Sequence, residues 1–186
     1  MKKGFKLSLD IILRYSILVI AGILNVNIFY FFFSFLTVYP VYFLLGLFYE
    51  SFLNVNTIWI NNLPIEIIGP CVAGSAYYLL LILNLSTPGI KFVKRILSLI
   101  FSFSLLLIIN ILRIFILSLL LISGSSFFDL THKLIWVIGS VLFVIGVWFL
   151  TVKIFKIKEI PLYSDIRILC CSSKNQIKKT KSHKKH

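Results

Sequence analysis

Acidic side chains are scarce in this sequence: six Asp and Glu residues stand against 19 Lys and Arg residues. Cysteine is also rare, and the three that occur are Cys71 and the adjacent Cys170 and Cys171. They form neither a disulfide framework nor a Cys-x-x-Cys pair, which argues against a disulfide-stabilised domain and against a thiol-disulfide exchange enzyme. No small-residue cleavage site follows the first apolar run, so we expect that run to be retained.

Hydrophobic residues are abundant, at 59% of the chain, and the net charge of +13 is concentrated at the two ends. This composition predicts an all-α polytopic membrane protein: a bundle of four to five transmembrane helices with a small extracytoplasmic β-hairpin. Because the basic residues flank apolar runs, we interpret them as orienting the chain and binding anionic membrane lipids, not nucleic acid.

The sequence divides into four parts of a single membrane domain, residues 1–186. We expect an N-terminal span or spans over residues 8–53, an outer hairpin over 56–68, catalytic helices over 71–152 and a basic cytoplasmic tail over 153–186. Residues 15–49 carry no charge. They fit one long tilted span or two short spans broken near residues 37–40, where a proline occurs.

Residues 57–67 have the short-period pattern of a β-hairpin with Asn61 and Asn62 at its turn. We expect Ile58 and Ile60 to lie opposite Ile65 and Ile67, and Pro64 favours an edge strand. Unpaired strand edges are not tolerated in lipid, so the hairpin is expected at or outside the membrane interface.

Pro70 and Cys71 are expected to open a helix that runs to about Leu85, with Cys71, Ser75 and Tyr78 on one face. A turn and a basic cluster at residues 91–95 follow, which marks this end as cytoplasmic. Arg113 lies 18 residues after Arg95. It is therefore about 27 Å along the next helix, near the outer leaflet.

Arg113 is the only ionisable residue from 96 to 122. A charge inside such a run marks a candidate functional site. The last span is expected over residues 133–152, with Asp129 or Thr131 as its N-cap and His132 at its outer end. The basic residues from Lys153 onward would then hold the tail in the cytoplasm.

Cys71, Arg113 and His132 are thus expected at one level of the membrane, on the extracytoplasmic side. A thiol, a general base and a cationic oxyanion partner are the components of acyl transfer. Asn110 and Ser75 are expected to support them, Asn110 by orienting Arg113. No metal or cofactor is predicted, because the remaining histidines have no ligand-like partners.

A cysteine after a hairpin, the Asn110-x-x-Arg113 motif and a histidine opening the final span resemble the exosortase/archaeosortase family over about residues 56–150. The resemblance implies a membrane cysteine transpeptidase. Such an enzyme cleaves the C-terminal hydrophobic sorting signal of secreted proteins and joins the new end to a lipid or membrane-anchored acceptor. It implies Cys71 as nucleophile, Arg113 as the family's arginine and His132 as its histidine.

Two features depart from that family. Its members commonly read Cys-small-Gly, whereas Val72 and Ala73 separate Cys71 from Gly74 here, and this chain has fewer N-terminal spans than larger members. Alternatives remain: an intramembrane serine protease using Ser75, or a non-enzymatic transporter or scaffold that uses Arg113 to bind an anion or anionic lipid.

Overall fold

The computed structural model describes residues 2–23 and 27–157. Within them the chain is mostly helical, with one small sheet. In chain order the elements are α1 (Lys2–Ile23), α2 (Asn27–Gly46), β1 (Ser51–Asn54), β2 (Thr57–Ile60), β3 (Leu63–Glu66), α3 (Gly69–Val72), α4 (Gly74–Leu85), α5 (Phe92–Ile122), α6 (Phe128–Leu134), a π-helical turn (Ile135–Gly139) and α7 (Ser140–Ile154). The predictions for residues 158–186, including Cys170 and Cys171, lie outside the described residues.

Two helices are long and apolar enough to cross a membrane: α2, over Phe29–Gly46, and α5, over its full length. At 1.5 Å per residue, α5 is about 46 Å long. Three shorter apolar helical stretches accompany them, at Ile11–Ile23, Gly69–Leu85 and Ser140–Ile154. The structure therefore bears out a mostly helical chain with membrane-spanning potential.

The N-terminal region forms two helices, and of the two alternatives left open by the sequence, a break near residues 37–40 does not occur. Pro40 lies inside α2. On either side of it Thr37, Val38 and Val41 are buried. Proline is tolerated in an apolar helix when neighbouring elements support the freed backbone, and here packing on both sides of Pro40 keeps α2 continuous.

The predicted hairpin is present as β2 and β3, and Ile58 lies opposite Ile65 as expected. The expected opposition of Ile60 and Ile67 is wrong: Ile60 pairs with Leu63. Asn61 and Asn62 both have positive φ, at 47° and 65°. This left-handed pair makes a two-residue turn, which fixes the register.

A third strand, β1, was not predicted, and it pairs antiparallel with β2 so that the strand order is β1-β2-β3. Pro64 therefore lies on an edge strand, as expected. The sheet turns one apolar face toward the helices, where its isoleucines join side chains of α2 and α5 in one buried cluster. Burial of this face fixes the sheet on the helices beside α3.

The single helix predicted from Cys71 to about Leu85 is wrong, because Ala73 separates the one-turn helix α3 from α4. Ala73 has φ 58° and ψ 39°, in the left-handed region. A residue in this conformation ends a right-handed helix. Cys71 therefore does not share a helical face with Ser75 and Tyr78.

The left-handed backbone at Ala73 makes a testable prediction about side-chain size. A β-branched residue is strained there, so Ala73→Val is expected to lower the free energy of unfolding by about 2 kcal/mol, whereas Ala73→Gly is tolerated. Thermal unfolding in detergent measures both. The matched control is Ala21→Val, at a half-buried alanine within α1, and a loss there as large as at Ala73 would contradict the prediction.

The last helical stretch runs without interruption from α6 through the π-helical turn into α7. The N-cap predicted at Asp129 or Thr131 is wrong, because the stretch begins earlier, with Phe127 at the N-cap position and no side-chain cap. Asp129 instead lies in the first turn of α6. A carboxylate there interacts favourably with the helix dipole without capping an amide.

Candidate active site

Cys71, Arg113 and His132 line the same cavity, which has a volume of about 350 Å³. Its walls come from β3, from α3 and the segment between them, from α5, and from α6 with the π-helical turn. Most of the other lining side chains are apolar: Ile65, Ile67, Ile68, Ile114, Leu117, Leu121, Phe128, Ile135 and Trp136. The three residues singled out from the sequence are therefore brought together by three different parts of the chain.

Cys71 is a half-buried free cysteine in α3. Its backbone N–H donates to the carbonyl of Ile68 at 2.9 Å, and the next residue, Val72, is fully buried. Pro70 begins the turn, where a missing N–H is tolerated. The nucleophile candidate thus lies on a short turn fixed on both sides while its side chain faces the cavity.

Asn110 and Arg113 both bind the backbone carbonyl of Cys71. The side-chain amide of Asn110 donates to it at 2.9 Å, and the guanidinium NH2 of Arg113 donates to it at 3.0 Å. Because α3 ends at Val72, this carbonyl has no continuing helix to pair with. The Asn110-x-x-Arg113 motif therefore positions the turn that carries the thiol.

Arg113 also links this turn to the last helix, since its NH1 donates to the hydroxyl of Ser140 at 3.2 Å. The guanidinium is buried, and its Nε has no hydrogen-bond partner among the described residues. Sequence reasoning missed Ser140. Its signal was available, because it is the only hydroxyl-bearing residue between residues 134 and 150.

Tyr77 is a second residue that sequence reasoning missed. It is fully buried and stacks on Phe33 at a ring separation of 3.7 Å. Its hydroxyl has no hydrogen-bond partner among the described residues. Tyr78, which the sequence had placed near Cys71, instead donates to the carbonyl of Leu18 at 3.2 Å and so joins α4 to α1.

His132 lies in α6, where its exposed ring stacks on Phe128 with centroids 5.6 Å apart. Glu66 lines the same cavity from the edge strand and is also exposed. Ser75, predicted as a supporting residue, is exposed and does not line the cavity. Within residues 2–23 and 27–157, no three His, Cys, Asp or Glu side chains form a group able to hold a metal ion.

The arrangement can support acyl transfer, because a thiol, an imidazole and a guanidinium face one largely apolar space large enough for part of a peptide. The backbone of the thiol-bearing turn is held by two side chains, which is the kind of support that keeps a nucleophile in place. Searches against protein-family models, curated proteins and solved structures find no match to this chain. Its chemistry is therefore inferred from the cavity and the residues that line it.

Proposed function

We propose that this protein is a membrane-embedded thiol transpeptidase that acts on the C-terminal region of secreted proteins and transfers the new carboxyl end to a membrane-anchored acceptor. The observation that carries the proposal is the shared cavity: Cys71, Arg113 and His132 come from α3, α5 and α6 and face one space. Convergence of these three groups is a geometric requirement for covalent acyl transfer.

The reaction proceeds in two halves. His132 takes the thiol proton of Cys71, and the sulfur attacks the substrate carbonyl to form a tetrahedral oxyanion. The intermediate collapses when the C–N bond breaks, His132 returns the proton to the leaving amine, and a thioester remains on Cys71. A nucleophile of the acceptor then attacks the thioester, releases the thiol and takes the acyl group.

Arg113 serves this reaction in two ways. Through NH2 it holds the carbonyl of Cys71, and through NH1 it holds Ser140 of α7. In the proposed mechanism, this fixed cation also stabilises the oxyanion as charge develops.

The position of Ala73 supports the resemblance to exosortases. The family's Cys-small-Gly pattern would place glycine at residue 73, and Ala73 has the left-handed backbone that favours glycine. The backbone at residue 73 is thus one that a glycine adopts without strain, although in this chain the glycine is one residue later.

In the topology we propose, α1, α2, the α3–α4 segment, α5 and the α6–α7 segment form four or five spans. The cavity lies on the extracytoplasmic side. Support comes from charge placement, because Lys91 and Lys94 lie at the beginning of α5 and Lys153 at the end of α7, whereas Arg113 lies in the second half of α5. Basic residues favour the cytoplasmic ends of spans.

A covalent adduct on Cys71 is the direct test. The full chain is isolated from producing cells in acid, which preserves thioesters, and the peptide containing Cys71 is examined by mass spectrometry. We expect a peptidyl adduct that neutral hydroxylamine releases, and none in Cys71→Ala. Two results together would contradict the mechanism: no adduct on Cys71 in the parent protein, and continued substrate processing by Cys71→Ala. They would favour an anion-binding role for Arg113.

A further inference from the structure

A second cavity, of about 420 Å³, lies at the turn between α4 and α5, remote in sequence from the residues of the thiol site. Its lining residues come from that turn and from the end of α7: Pro88, Gly89, Ile90, Lys91, Lys94, Lys156 and Ile157. Two separate parts of the chain thus bring three lysines to one space. The transpeptidase mechanism makes no use of them.

Among the residues that the structure describes, the charged side chains lining this cavity are all positive. None of its seven lining residues is acidic, and within residues 2–23 and 27–157 none of the three lysines forms an ion pair. Lys91 is also the N-cap residue of the 31-residue helix α5, which has no side-chain cap. The free amides and dipole of this helix end add to the attraction for an anion.

Neighbouring Arg95 is a fourth basic residue, but its guanidinium is directed at the end of α4. It is buried and donates to the carbonyls of Asn84, Leu85 and Thr87, which end α4. Arg95 therefore holds the turn that shapes the cavity. It also adds positive charge near the three lysines.

Apolar surface adjoins the charged cavity. Phe92 is 73% exposed, Val93 68% and Ile154 51%, and each lies within two residues of a lining lysine. Ile90 and Ile157 contribute to the lining itself. A phosphate group would satisfy the lysines in any ligand, but only a ligand with hydrocarbon chains would also cover these exposed side chains.

We infer that this cavity binds the phosphate of an anionic phospholipid headgroup, with the acyl chains lying along the exposed side chains of α5 and α7. Lys91, Lys94 and Lys156 act as point charges on the phosphate, and the dipole of α5 adds to the attraction at this helix end. The inference concerns a separate site and does not depend on the thiol chemistry.

The test uses the full chain in a neutral detergent at low salt, titrated calorimetrically with dioctanoyl-phosphatidylglycerol, dioctanoyl-phosphatidylcholine or inorganic phosphate. Phosphatidylglycerol is expected to bind saturably and more tightly than the other two. Each lysine contributes about 5-fold to affinity, so Lys91→Gln/Lys94→Gln is expected to weaken binding about 25-fold and Lys156→Gln about 5-fold.

The matched control is Lys133→Gln/Lys153→Gln, which removes the same charge from exposed positions outside the cavity and should change affinity less than 2-fold. An equal loss of affinity in both double variants would show that the lipid is attracted by the overall charge, and it would overturn the proposal of a specific site. Inorganic phosphate binding as tightly as phosphatidylglycerol would overturn the lipid assignment, and equal binding of phosphatidylcholine would overturn the role of charge. If Lys91→Gln/Lys94→Gln fails to fold, the loss of about 5-fold expected for Lys156→Gln alone tests the site.

Discussion

Replacing Cys71 with alanine is expected to reduce acyl transfer to background, a loss of at least about 1,000-fold, while the protein stays folded. In the proposed mechanism the side chain supplies the nucleophile, whereas Asn110 and Arg113 bind the backbone carbonyl of this residue. Alanine keeps that carbonyl and both hydrogen bonds. The measurement is the fraction of a co-expressed secreted substrate that loses its C-terminal segment.

The unfolding midpoint of Cys71→Ala provides the control, and it should lie within a few degrees of the parent protein. Val72→Ala is a matched comparison on the same turn, because it removes a fully buried side chain that does not line the cavity. That variant is expected to lose stability and retain transfer in the folded fraction. Substrate processing by a folded Cys71→Ala protein at the parent rate would refute the thiol mechanism.

Arg113→Lys is expected to lower the rate of transfer about 100-fold although the charge is kept. A lysine has one ammonium group, so it cannot hold the Cys71 carbonyl and the Ser140 hydroxyl in the fixed fork that the guanidinium provides. The turn that carries the thiol would then shift, and a displacement of about 1 Å costs a factor of this size. Single-turnover acylation of Cys71 measures the effect without the acceptor step.

Asn110→Ala is the companion to Arg113→Lys, since the two side chains share one acceptor. Removing a single neutral donor is expected to slow acylation about 10-fold. Because one carbonyl links them, the effects in Asn110→Ala/Arg113→Lys should not add. Simple additivity would show that the two residues act independently of the shared carbonyl, and a normal acylation rate in folded Arg113→Lys would show that Arg113 does not position Cys71.

Much of the site was predictable because it depends on rare residue types in apolar sequence. Arg113 stands out as the single ionisable residue from 96 to 122, and Cys71 and His132 follow from the chain reversals that bring helix ends together. The hairpin was visible in the β-branched pattern around Asn61 and Asn62. These signals are local, and the structure places the residues they mark around one cavity.

The errors came from features set by packing. The left-handed residue that separates α3 from α4 is an alanine, which carries no local signal for a helix break. Pro40 carries such a signal, which left one span or two spans open, and buried neighbours keep α2 intact. The role of Asn110 was also underestimated, because a hydrogen bond to a backbone carbonyl 39 residues away depends on how two helices pack.

The edge position of β3 limits which chains can add at this edge of the sheet. Leu63 and Ile65 turn their backbone groups toward β2, and the amide of Ile67 donates to Asn56. The outward groups of β3 therefore belong to Pro64 and Glu66. Since proline has no N–H, Glu66 offers the one outward amide of the strand. An extended segment of another chain therefore has few hydrogen-bond partners at this edge, which disfavours aggregation. Any segment that does pair there is confined to the register that this amide sets.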